Sequence, residues 1–151
     1  MRKIQLSVFA AALFLVFSAC KKSNNTSDAK TVQNLSGSYN LTAAVLSANG
    51  FSFNVYDSLP VCEKDNLIQL NADGRYVTID AGVVCDPKIE DAGTWTLSAD
   101  TDSLYVSGGA ATIIGTKGAL IKSWDGKTLV LTGIEAAGPP QVTATATYVK
   151  K

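Results

Sequence analysis

From Leu35 onward the chain alternates apolar and polar residues in short runs, each stopped by a turn dipeptide or tetrapeptide. Period-two alternation is the signature of a strand with one face buried. Tyr39, Leu41, Ala43 and Val45 alternate with polar or small neighbours, Asn49-Gly50 turns the chain, and Phe51-Ser52-Phe53-Asn54-Val55 alternates again. Segments 66–70 and 75–79 flank Asn71-Ala72-Asp73-Gly74, and segments 93–98 and 103–107 flank Ala99-Asp100-Thr101-Asp102. Segments 119–124 and 128–132 flank Asp125-Gly126, a strong two-residue hairpin signal. Residues 111–116 offer a further strand, and Pro139-Pro140 precedes a long Thr- and Val-rich strand over 141–149. No segment sustains helical periodicity. The pattern predicts an all-β domain of eight to ten short antiparallel strands. Even spacing with hairpin turns favours an up-and-down β-barrel of about eight strands, and an immunoglobulin-like β-sandwich is the alternative.

The chain has 151 residues, 13 Lys+Arg, 13 Asp+Glu and no histidine. A balanced charge argues against nucleic acid as a partner, because phosphate binding needs a basic excess. Without histidine the chain lacks the usual general base and the usual zinc ligand. No Gly-x-Ser-x-Gly and no phosphate-binding loop is present. These absences point to a non-enzymatic protein with no cofactor.

The N-terminus reads as a targeting segment. Arg2 and Lys3 precede an apolar run from Ile4 to Phe17, which is too short to span a bilayer comfortably. Phe17-Ser18-Ala19-Cys20 then resembles the lipobox of bacterial lipoproteins, with Phe17 where leucine is usual. The resemblance implies cleavage after Ala19 and lipidation of Cys20. An ordinary secretory signal and a transmembrane anchor are the alternatives. Residues 1–19 are thus read as a signal peptide, and residues 20–34 as a lipidated cysteine with a flexible polar tether. Residues 35–151 form the barrel domain. Lys21 is not the aspartate that commonly retains lipoproteins at the inner membrane. By that analogy the protein is expected at the outer membrane facing the periplasm, with the cell surface as the alternative. Without residues 1–19 the formal charge becomes −2, because Arg2 and Lys3 leave with the signal.

Outside the cytoplasm disulfides persist. With Cys20 lipidated, Cys62 and Cys85 remain as a pair, and two free thiols are the alternative. Closing the loop between them stabilises by about 3.4 kcal/mol on loop entropy.

Leu35-Ser36-Gly37-Ser38-Tyr39, the stretch from Cys62 through Asp65-Asn66 to Asp73-Gly74-Arg75-Tyr76, then Cys85, Gly93-Thr94-Trp95 and the final Tyr148-Val149-Lys150-Lys151 together resemble small lipocalin-like lipoproteins of Gram-negative bacteria. The resemblance spans nearly the whole domain and implies a small barrel with one end open. Tyr39 stands where a tryptophan is common in that family. Strand parity puts Trp95 with Leu97, Leu129 with Leu131, Tyr39 with Leu41, and Ala144 and Ala146 with Val142 and Tyr148 on shared faces. Tyr39, Tyr76, Trp95, Trp124 and Tyr148 are candidate ligand-binding residues lining the barrel. Lys122, at the same parity as Leu120 and Trp124, is a candidate partner for an anionic head group if its face is inward. The expected function is binding a small apolar or amphiphilic ligand in the barrel mouth. The alternative is a filled barrel that docks onto an envelope protein complex or a glycan. Asp100-x-Asp102 suggests a calcium loop but lacks its glycine and distal glutamate, and Asp86, Glu90 and Asp91 read as a solvated acidic loop. No metal is expected.

Overall fold

A computed structural model describes residues 28–108, 118–136 and 139–151. A one-turn helix, α1 (Val32–Leu35), leads into β1 (Gly37–Ala48), β2 (Phe51–Asn54), a 3-10 turn (Tyr56–Ser58) and a second one-turn helix, α2 (Val61–Lys64). Seven more strands follow: β3 (Leu67–Leu70), β4 (Arg75–Ile79), β5 (Asp91–Leu97), β6 (Ser103–Ser107), β7 (Gly118–Trp124), β8 (Thr128–Ala136) and β9 (Val142–Lys150). The expected strand over 111–116 lies outside the described residues.

Each strand from β3 to β9 pairs antiparallel with the next, and β9 returns to pair with β1 from Tyr39↔Lys150 to Ser47↔Thr143. That last pairing closes an eight-stranded antiparallel barrel, with β2 as one extra strand on the edge of β1. Closure removes the exposed edges that an open sheet would present. The single closed sheet excludes the immunoglobulin-like sandwich, which needs two separate sheets.

Three tight hairpins at one end are built by aspartates. Asp73 Oδ1 accepts the Arg75 amide at 3.1 Å, Asp100 Oδ1 accepts the Asp102 amide at 3.1 Å, and Asp125 Oδ1 accepts the Lys127 and Thr128 amides at 2.9 and 2.6 Å. Such side-chain bonds give the turn backbone the partners that the ladder no longer supplies. They also hold the Asp73, Asp100 and Asp125 carboxyls below their usual range: Arg75 is the main cause for Asp73, the Ser98 hydroxyl for Asp100 and the Thr128 amide for Asp125.

The same end is plugged by α1. The Thr31 hydroxyl caps the helix by accepting the Asn34 amide at 3.1 Å, and Leu35 is fully buried. Tyr39 Oη donates to the Leu35 carbonyl at 2.8 Å. Lys150 Nζ donates to the Asn34 carbonyl at 2.8 Å and lies 6.0 and 5.7 Å over the Tyr39 and Trp124 rings, within cation–π range. Lys30 pairs with Asp102 on the β5–β6 turn. The tether expected to run to Asn34 therefore gives way to bound structure earlier, and Val32 packs against the core.

The opposite rim is uneven. β1, β8 and β9 have 12, 9 and 9 residues, whereas β3, β4 and β6 have 4, 5 and 5. The strands β1, β8 and β9, with β2 on the edge of β1, thus rise as a wall above the ends of the shorter strands.

Candidate functional site

The barrel interior is the first place to look for a site. Parity sorts the side chains as expected along β5, β8 and β9: Trp95, Leu129, Leu131, Ala144, Ala146 and Tyr148 are buried, and Leu97 packs on the core. Tyr39 and Tyr76 join them, 2% and 1% exposed. Trp95 Nε1 donates to the Asn71 carbonyl at 2.9 Å, so the indole pins the β3–β4 turn as well as filling the core. Tyr76 Oη is shared between Asp91 Oδ2 and the Gly108 carbonyl, both at 2.9 Å. Burial, with help from the Asp91 carboxylate, pushes the Tyr76 phenol up to about 12. Burial pushes the Tyr39 and Tyr148 phenols higher still.

The structure thus brings five of the six candidate binding residues, Tyr39, Tyr76, Trp95, Trp124 and Tyr148, into one core. It does not bring in Lys122. A β-bulge between Ile121 and Ser123 inserts Lys122 as an extra residue opposite β8. Parity resets there: Ile121 and Trp124 point inward, while Leu120, Lys122 and Ser123 are exposed. The shared face expected for Leu120, Lys122 and Trp124 is therefore wrong, and Lys122 cannot meet a head group inside the barrel. Trp124, at the end of β7 beside the Asp125-Gly126 turn, is 8% exposed and packs in the core.

Among the described residues one small gap lies in the barrel interior. The gap between Tyr39, Ile68, Leu70, Leu104, Leu129 and Tyr148 measures about 10 Å³. That is about the space of one water, whereas pockets for small molecules measure about 300–1,000 Å³.

The far rim is different. Phe51 is 80% exposed and Phe53 62% exposed. Register shows which way they face. Phe53 lies opposite Leu46 and Phe51 opposite Ala48 on β1, and Leu46 lies opposite Ala144 on β9. Directly paired residues share a face, and Ala144 is buried in the barrel. The two phenylalanines therefore continue the barrel's inner face, but on wall that stands above the core. With Leu46, Ala48 and Val142 they line an open groove of about 310 Å³.

A second apolar group sits on the disulfide. Cys62 and Cys85 are bonded, joining α2 to the β4–β5 loop. Val61, Val83 and Val84 beside them are 67%, 55% and 58% exposed. Carboxylates hold this loop in place. Asp80, 7% exposed, accepts the Cys85 and Ile89 amides at 3.1 and 2.8 Å, and Asp65 Oδ2 accepts the Val83 amide at 2.7 Å. The loop is thereby shaped from within.

The acidic groups noted in the sequence are engaged separately. Asp100 is bonded to Ser98 and to the Asp102 amide, Asp102 pairs with Lys30, Glu90 pairs with Lys88, and Asp91 accepts Tyr76. Asp86 is exposed. Phe51, Phe53 and the valine cluster were not singled out as functional from sequence. The available signal was a charge-free stretch from Thr31 to Tyr56 containing Asn49-Gly50, with two phenylalanines just after the turn.

The class defined by this architecture is a small, closed, antiparallel β-barrel with one extra strand. No protein-family model matches the chain, and no curated protein matches it. Its fold is similar to the crystal structure of a DUF4847 family protein from Bacteroides vulgatus ATCC 8482, with a TM-score of 0.50 at 13% identity, covering 80% of this chain and 98% of that one. At that identity the likeness concerns the fold alone.

Proposed function

We propose that this protein is a lipid-anchored interaction module of the cell envelope that docks a protein partner on the far rim of a filled barrel. The observation that carries the reading is the contrast between an interior gap of about 10 Å³ and Phe51 and Phe53 left 80% and 62% exposed on the rim. A carrier of apolar ligands needs an enclosed site that covers most of the ligand. The rim groove is open, and the phenylalanines that wall it are themselves mostly in water. Exposed clustered apolar side chains suit a protein interface.

Anchoring through Cys20 attaches the module by its plugged end. The described chain begins at Asp28 beside the plugged end, and eight residues reach at most about 28 Å from the lipidated cysteine. β1 carries the chain from that end along 12 residues, about 40 Å of strand. The rim thus lies at the opposite end of the barrel from the tether, which leaves it free to meet a partner across the periplasmic space if the anchor lies in the outer membrane's inner leaflet.

Photo-crosslinking in intact cells tests the reading. p-Benzoylphenylalanine in place of Phe53 should give one protein adduct of defined mass, and the same group in place of Ala99, on a turn at the plugged end, should give none. Equal labelling at both positions, or no adduct at Phe53, contradicts docking on the rim.

A further inference from the structure

We propose that Asn49-Gly50, the turn between β1 and β2, is a self-modifying site, at which the Gly50 main-chain nitrogen attacks the Asn49 side-chain amide and converts Asn49 to isoaspartate or aspartate. The Gly50 nitrogen forms a bond to Asn49 Cγ, the bond from Cγ to Nδ2 breaks, and the proton lost by the Gly50 amide leaves with Nδ2 as ammonia. Water then opens the resulting cyclic imide at either carbonyl. Opening at the main-chain carbonyl gives isoaspartate and opening at Cγ gives aspartate. Both products carry a carboxylate where a neutral amide stood.

The structure singles out this asparagine. Asn34, Asn40, Asn54, Asn66 and Asn71 all hold hydrogen bonds through their side chains, and each is followed by a residue whose own side chain crowds the attack. The Asn49 side chain makes no such bond among the described residues, and Asn49 and Gly50 are both exposed. Gly50 lies at φ +80°, with open space where a Cβ would stand. The ladder leaves its amide free as well. The Val55 amide donates to the Ala44 carbonyl at 2.9 Å, so the pairs in register with it, Leu46↔Phe53 and Ala48↔Phe51, are the hydrogen-bonded ones. In such a two-residue hairpin the Phe51 amide closes the turn, and the Gly50 amide points out of it.

The aspartate-glycine turns resist the same chemistry. The Gly74 amide is tied to the Asn71 carbonyl at 3.0 Å. The Asp73 and Asp125 carboxyls accept turn amides and are held below their usual range, so they stay ionised, and a carboxylate is a poor target for a nitrogen nucleophile. The modification stands whether or not the rim docks a partner. Its consequence for the rim rests on the docking reading: no charged residue occurs between Thr31 and Tyr56, and a carboxylate beside Phe51 opposes apolar contact there, because it must be stripped of water.

Incubation of the purified full chain in mildly alkaline buffer tests the site, with a capped Ser-Ala-Asn-Gly-Phe-Ser peptide as the unhindered reference. Peptide mapping by mass should show NH replaced by O at Asn49 before any other described asparagine, with isoaspartate among the products. An exposed hairpin tip opens at little cost, so the folded chain should react within about tenfold of the peptide's rate. Asn49→Gly keeps a turn that accepts positive φ at both positions and should lose the conversion. A folded chain slower than that margin, a first conversion at another described asparagine, or a mass change that persists in Asn49→Gly overturns the proposal. Asn49→Asp, one of the products, should lower the Phe53-specific adduct in cells. An adduct unchanged by Asn49→Asp overturns the effect on docking and leaves the modification standing, whereas an adduct absent from the parent protein overturns docking itself.

Discussion

Leu131→Ala measures how tightly the barrel is packed. Leu131 is 1% exposed on β8 and lines the small gap beside Tyr39 and Tyr148. Its main chain is held between β7 and β9, where it pairs with Ile121 and Ala146. A wall fixed on both sides by main-chain ladders cannot move inward to refill the space. The substitution removes three buried carbons, about 2.4 kcal/mol of transfer free energy at about 0.8 kcal/mol per methylene. The unfilled cavity adds to that, for a total of about 3–4 kcal/mol. At about 4 °C per kcal/mol for a domain of this size, the melting temperature should fall by about 12–16 °C. The new cavity merges with the existing gap, so benzene should partly restore the melting temperature of Leu131→Ala and leave the parent protein unchanged. Calorimetry with and without benzene makes the measurement. A loss below about 1 kcal/mol, or stabilisation of the parent by benzene, would refute the packed interior.

Three further outcomes follow from the same structure. Replacing Cys62 and Cys85 by serine should cost about 3 kcal/mol in urea unfolding, and the parent's intact mass under non-reducing conditions should lack two hydrogens. Gly93→Ala should destabilise by about 2–3 kcal/mol, because a Cβ there would strike the Ser107 carbonyl and come within 2.8 Å of Tyr76 Cε1; thermal unfolding reads this directly. Burial raises the phenols of Tyr39, Tyr76 and Tyr148 above their unfolded value of about 10. Their protonated forms are neutral, so this stability is fully present below about pH 10 and is lost as pH rises towards the folded values, about 12 for Tyr76. Urea midpoints should therefore fall steeply above pH 10 and change little on this account between pH 7 and 9.

The hairpins were legible because their chemistry is local. Asp73-Gly74 and Asp125-Gly126 mark turns whose glycines have φ of +83° and +88°, and alternation correctly faced Trp95, Leu129 and Ala146 inward. Closure was suggested only by the even spacing of strands, since the β1–β9 pairing joins residues about a hundred positions apart, and no local pattern distinguishes it from an open sheet. Parity failed on β7 because one inserted residue, Lys122, reverses every assignment beyond it, and the bulge has no marker in the sequence. α1 was hidden for another reason: one helical turn is too short to show a period, although Thr31 stands in the capping position. The phenylalanines of β2 illustrate a further limit. Alternation gives the face of a strand but not the height at which the core stops, and that height depends on the lengths of neighbouring strands.

Native mass spectrometry of the protein extracted from its own membranes bears most directly on the filled barrel. The account predicts that the chain from Cys20 to Lys151 carries its acyl chains and no small molecule. A stoichiometric small apolar molecule, retained through extraction and released only on unfolding, would contradict it.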